Sequence, residues 1–137
     1  VSRGWIGVDL DGTLAKYDGW KGPLEIGEPI MPMVERVKAW LAEGLEVRIF
    51  TARVSRTPMT SATIRQVMQK SGLSPLEAAD WIETWNDSVE KIRATIEDWC
   101  EEWIGRRLPV TNEKDFGMIE LWDDRAVGVA LNLGVRA

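Results

Sequence analysis

Two aspartates one residue apart, Asp9 and Asp11 in Val8-Asp9-Leu10-Asp11-Gly12-Thr13-Leu14, follow a short apolar run, and a second acidic pair, Asp123-Asp124, follows another. Crowded carboxylates repel and call for a cation. A small hard ion such as Mg2+ takes ligands from one or two carboxylates, backbone oxygens and water. Thr51, closing a third apolar run, and Lys114 add a hydroxyl and an ammonium, donors that offset the charge of a phosphoryl group. There is no histidine and only one cysteine, Cys100, which removes Ser-His-Asp and Cys-His nucleophiles and His-ligated zinc. The nucleophile would then be Asp9, forming an aspartyl-phosphate. Asp11 would protonate the leaving oxygen and later activate water.

Each piece also has an ordinary structural reading. Asp11-Gly12 between apolar residues is a signal for a tight β-hairpin turn, although Leu14 to Gly27 does not continue as an alternating partner strand. Asp123-Asp124-Arg125, taken alone, reads as a solvated turn. Lys114 sits in the polar run Asn112-Glu113-Lys114-Asp115, of surface-loop composition, and Lys91 is the alternative cation. Arg53 and Arg56 after Thr51, and Arg125 beside Asp124, are candidates for bidentate recognition of a phosphorylated substrate. Tyr17 and Trp20 are expected to anchor their loop on the core; the alternative is that they stack on a nucleobase or sugar.

The elements that must position these residues follow from periodicity. Trp5 to Leu10 is almost continuously apolar, as a strand buried on both faces of a parallel sheet should be. Residues 14–29 hold three glycines and two prolines and read as an irregular loop or small flap. A helix opens at Pro32, presents Met33, Val37, Trp40 and Leu41, and stops at Gly44. Glu46 to Phe50 is a second strand. Thr60 to Ser71 is helical; Ser74-Pro75-Leu76-Glu77 is a capping box; and a third helix is expected from about Ser88 to Ile104 on the stripe Val89, Ile92, Ile96, Trp99 and Trp103. Strand candidates follow at Leu108 to Thr111, Met118 to Trp122 and Ala126 to Leu131. The order strand, helix, strand predicts a right-handed βαβ unit, and ligands of open parallel sheets bind beyond the carboxyl ends of the strands. That common placement is the reason to gather Asp9, Asp11, Thr51 and Asp123 into one site.

The chain resembles the haloacid dehalogenase (HAD) superfamily. The family's hhhhDxDGT, hhhT, Lys and hhhhDD motifs have counterparts, in order, in Ile6-Gly7-Val8 leading to Asp9-Leu10-Asp11-Gly12-Thr13, in Val47-Arg48-Ile49-Phe50-Thr51, in Lys114, and in Ile119-Glu120-Leu121-Trp122-Asp123-Asp124. The resemblance implies a three-layer Rossmann-like α/β domain over residues 1–137, with a mainly parallel central sheet flanked by helices and no large cap. It implies Asp9 as nucleophile, Asp11 as general acid/base and Thr51 as a phosphate hydrogen-bond donor. Mg2+ would be held by Asp9, the backbone carbonyl of Asp11 and Asp123, with Asp124, Gly12 and Thr13 in support. Capless members tend to act on larger or exposed phosphoesters. One feature departs from the pattern: only the six residues 112–117 separate the last two motif strands, where a parallel crossover ordinarily takes a dozen or more.

Composition bounds the rest. A chain of 137 residues with 45 % apolar content is the size of one domain with a real core. The net charge of −5 disfavours nucleic acid and anionic lipid as broad electrostatic partners. No apolar run reaches the roughly 18 residues of a membrane helix, there is no signal-type N-terminus, and a single cysteine permits no internal disulfide, so the expected location is cytoplasmic. Two function classes compete: a Mg2+-dependent phosphomonoester hydrolase, acting on a nucleotide, small phosphoester or nucleic-acid phosphate end, and a non-catalytic or regulatory domain that binds metal or a phosphorylated ligand. A receiver-type phosphoacceptor would place the adjacent acidic pair first; here the spaced pair comes first.

Overall fold

The structure, a computed structural model, describes residues 3–137. Four strands, β1 (Trp5–Asp9), β2 (Glu46–Phe50), β3 (Val110–Thr111) and β4 (Met118–Trp122), form one all-parallel sheet in the order β3-β2-β1-β4. Among the described residues, three helices complete an α/β fold compatible with a Rossmann-like order: α1 (Met31–Ala42), α2 (Ser61–Ser71) and α3 (Pro75–Ile104), with a 3-10 turn at Ala52–Val54. Among the described residues no helix is long and apolar enough to cross a membrane.

Strand alternation divides the sheet into two unlike faces. Ile6, Val8, Val47 and Ile49 join Met33, Val34 and Val37 of α1 and Val89, Ile92 and Ile96 of α3 in one buried cluster. Trp5, Gly7, Arg48 and Phe50 point the other way. The crossovers β1–α1–β2 and β2–α3–β3 step in the same direction, so right-handed connections lay both helices on one face. The return to β4, on the far side of β1, must cross the opposite face. It does so as the extended segment 112–117. Seven Cα steps reach about 23 Å, enough to cross three strand spacings of roughly 4.8 Å and one short strand length, and no helix is needed.

That segment is fastened to the sheet. Trp5 donates its backbone N–H to Gly117 O at 2.7 Å and its indole N–H to Asp115 Oδ1 at 2.8 Å. The Arg48 guanidinium lies 4.5 Å over the Trp5 ring and pairs with Asp115 at 3.5 Å, leaving Trp5 1 % exposed. The expected third layer of helices is therefore replaced here by a strap, and both strands of doubtful connection are parallel to their neighbours.

Two further expectations change. The helix expected from Ser88 is the second half of α3, a single helix of 30 residues. No glycine or internal proline interrupts Pro75–Ile104, and the buried stripe runs unbroken through Ala78, Ile82, Val89, Ile92 and Ile96. Ser88 does not cap; its hydroxyl donates to Trp85 O at 2.7 Å within the helix. The cap is at Ser74, with Glu77 N donating to Ser74 Oγ at 3.2 Å and Ser74 N to Glu77 Oε1 at 3.1 Å. Ala126 to Leu131 is not a strand: only a single bridge, Val129 with Arg136, forms there, and its side chains face solvent rather than a partner.

Candidate functional site

Asp9 ends β1 and Asp123 follows β4, adjacent parallel strands at the point where the chain order of the sheet reverses. Ligands of open parallel sheets bind at such a point, beyond the strands' carboxyl ends. Carboxylate oxygens of Asp9, Asp123 and Asp124 lie within 4.8 Å of one another. Burial pushes the Asp9 carboxyl up to about 7, and the charges of Asp123 and Asp124 add to the shift. Three acidic groups at this spacing suit a hard cation taking oxygen ligands, and a bound cation would relieve the repulsion that raises Asp9.

The Asp-Gly step turns the chain without making a hairpin. Leu14 and Ala15 both donate backbone N–H groups to Leu10 O, at 3.0 and 2.8 Å, and Gly12 N donates to Ala15 O at 2.8 Å. The turn takes Gly12 to φ +90°, and a Cβ on Gly12 would stand 2.7 Å from Asp124 Oδ2. Glycine is needed there both for its backbone and for its missing side chain. Thr13 Oγ1 lies 3.3 Å from Asp9 Oδ2 and 3.3 Å from Asp124 Oδ1, with one proton to give, and accepts from Asp124 N at 3.0 Å. The turn at β1 is thereby tied to the acidic pair at β4.

Thr51, 4 % exposed, follows the last residue of β2, and its N–H donates to Thr111 O at 2.9 Å. Its Oγ1 accepts from Arg53 N at 3.1 Å, which leaves the hydroxyl proton to donate. Arg53, 5 % exposed, has a different task from a substrate clamp. Its Nε donates to Asp11 Oδ2 and one NH2 hydrogen to Asp11 Oδ1, both at 2.8 Å; the rest reach Glu25 O at 2.9 Å, Pro23 O at 2.9 Å and Gly22 O at 3.4 Å. All five guanidinium hydrogens are engaged. Arg53 ties Asp11 to the loop that follows the turn.

These residues open into a cavity of about 390 Å3, lined by Asp9, Asp11, Thr51, Arg53, Asp123, Asp124 and Arg125, and by Tyr17, Trp20, Phe50 and Trp85. Arg125 is thus at the cavity. Lys114 and Lys91 are exposed and are not among its lining residues; Lys114 lies on the crossing strap. Arg56 lies outside too, donating to Asn86 O at 2.9 Å and pairing with Glu90 at 3.2 Å. Tyr17 and Trp20, 44 and 54 % exposed, line the cavity rather than anchoring in the core. Trp85 and Phe50 were not anticipated. Trp85 continues the helical stripe four residues before Val89, a spacing that marks a buried face and carries no sign of a cavity. Cys100 is buried, and burial pushes its thiol up to about 12, which removes it as a nucleophile. No protein-family model, curated protein or solved structure matches the chain, and the reading of the site rests on these residues.

Proposed function

We propose that the protein is a Mg2+-dependent phosphomonoester hydrolase of HAD-like type working through an aspartyl-phosphate on Asp9. The observation that carries the reading is the convergence of Asp9, Asp123 and Asp124 at the ends of neighbouring parallel strands, with Thr51 at the end of the next strand lining the same cavity. A cation held by these carboxylates would offset the charge of the phosphoryl group and of its attacked oxygens. An Asp9 oxygen attacks phosphorus; the new O–P bond forms as the bond to the leaving oxygen breaks, and that oxygen takes a proton from Asp11. Asp11 then removes a proton from water, the water attacks phosphorus, and inorganic phosphate departs with Asp9 regenerated. Thr51 donates to a phosphoryl oxygen, and Arg125, which lines the same cavity, is the cation that joins it.

A second reading has one observation in its favour. Both oxygens of Asp11 are held by Arg53, and a carboxyl so engaged must release one of them before it can serve a leaving group. A domain that binds metal and a phosphorylated ligand without turnover needs no such release. A panel of phosphoesters, assayed with and without Mg2+ on the wild type and on Asp9→Asn, separates the two. The hydrolase reading expects Mg2+-dependent phosphate release that falls at least about a thousandfold in Asp9→Asn; binding without release from any ester supports the second reading.

A further inference from the structure

The cavity is lined by aromatic rings as well as by carboxylates. Beyond the aspartates and Thr51, the lining is Tyr17, Trp20, Phe50 and Trp85, with Ala52 and the two arginines. Among the described residues, no Asn, Gln or Ser side chain lines it; apart from Thr51, the charged groups and the Tyr17 hydroxyl, its lining is aromatic and aliphatic surface. The rings come from three separate parts of the fold, the 16–25 loop, β2 and α3, and two of them are held in place. Trp20 lies with its ring 4.9 Å from the Arg53 guanidinium, which is itself fixed by five hydrogen bonds, and remains 54 % exposed. Trp85 donates its indole N–H to Ser55 O at 2.9 Å and is stacked by Trp81 at 6.0 Å. Pre-positioned, half-exposed rings facing a cavity are stacking platforms for another planar ring.

We infer that the site, read as a phosphomonoester site, takes a nucleoside phosphate, its base against the Tyr17, Trp20 and Trp85 rings and its phosphate at Asp9. This inference rests on the proposed hydrolase reading for its phosphate end, while the aromatic wall stands independently. A cavity of about 390 Å3 is in the range of small-molecule sites and has room for a base and ribose, more than a single phenol ring fills. The same chemistry is offered by a free mononucleotide and by the terminal phosphate of a nucleic-acid strand.

The test compares kcat/KM, with Mg2+, for nucleoside 5′- and 3′-monophosphates, glycerol 2-phosphate, a phosphotyrosine peptide and oligonucleotides phosphorylated at either end. The nucleotide-over-glycerol-phosphate ratio should exceed about 10 in the wild type and fall by about 5- to 100-fold in Trp20→Leu, with Trp20→Phe, which keeps a ring, retaining most of it. Preference for the mononucleotide assigns the ligand to the free pool, and preference for the oligonucleotide assigns it to a strand end; both support the inference. Equal rates on glycerol phosphate, preference for the phosphotyrosine peptide, or parallel loss on all substrates in Trp20→Leu would overturn it. If no ester is hydrolysed, the hydrolase reading fails by itself, and calorimetric titration with a nucleoside monophosphate and with glycerol phosphate decides the wall. Tighter binding of the nucleotide that is lost in Trp20→Leu upholds it, and equal binding refutes it.

Discussion

Asp9 is an acid whose environment works against its charge, and this has a measurable consequence without any substrate. Its carboxyl is raised from 3.8 to about 7 by burial and by Asp123 and Asp124. Between those values the folded protein binds a proton that the unfolded chain has released, so stability falls as pH rises through that window. In the absence of divalent cations, the thermal midpoint should decline from pH 4 to pH 7 more steeply in the wild type than in Asp9→Asn; identical slopes would remove the strain assigned to Asp9. Adding Mg2+ near pH 7 should raise the wild-type midpoint and release protons, because the cation binds the ionised form. Gly12→Ala tests the same acidic cluster from its other side. The positive φ of Gly12 costs about 1–2 kcal/mol for a residue with a Cβ, and the added carbon would press on Asp124. Urea denaturation should show that loss, and Mg2+ titration a weakened affinity; an unchanged affinity would mean that Asp124 plays no part in holding the ion. The aspartates themselves were legible in the sequence because residue type and a spacing of one carry their chemistry. The partner of Asp11 was not, since Arg53 reads equally well as a phosphate clamp until the loop carbonyls that absorb its donors are placed.

Among the elements, the turn after β1 and the loop after it form one unit held by Arg53 from the 3-10 turn that follows β2. Arg53→Ala would leave the half-buried Asp11 carboxylate and three loop carbonyls without their donor, a loss of about 3 kcal/mol, near the low end for broken buried pairs because Asp11 keeps some contact with water. Arg53→Lys should recover part of the stability but not the fork geometry that holds both Asp11 oxygens. Chemical denaturation of both variants checks this, and equal stability of Arg53→Ala and the wild type would show that the loop is fastened elsewhere. Caps and stops were readable, Ser74 with Glu77 at the start of α3 and Gly44, at φ +85°, just past the end of α1, because capping is local chemistry. The boundary expected at Ser88 was not real, because a serine inside a helix can satisfy itself on the preceding turn and only the uninterrupted apolar stripe tells the two cases apart.

For the whole molecule, the unexpected feature is a parallel sheet with helices on one face and a six-residue strap across the other. Strand direction and the site's position at the strand ends were legible from the order of motifs. The missing helical layer was hinted at by the short 112–117 connection, but whether that connection made a hairpin or an extended crossing depends on strand order, which no local pattern encodes. Trp5 is the residue that seals this face. Trp5→Ala should cost about 3–5 kcal/mol in urea denaturation, whereas Asp115→Ala, which removes one exposed partner, should cost far less; a small loss for Trp5→Ala would mean that the strap does not close the core. The carboxyl end of the sheet is open, with Asp9 among the residues that line the cavity. The proposed reaction puts the phosphoryl group on Asp9. The most direct measurement is acid-quenched mass mapping of Asp11→Asn incubated with Mg2+ and an aryl phosphate, whose good leaving group needs no proton donor while the absent base slows hydrolysis of the intermediate. A phosphoryl group on the peptide containing Asp9, removable by hydroxylamine, is the predicted result; phosphate release by the wild type with no phosphoryl group recovered on Asp9 in either protein would contradict it.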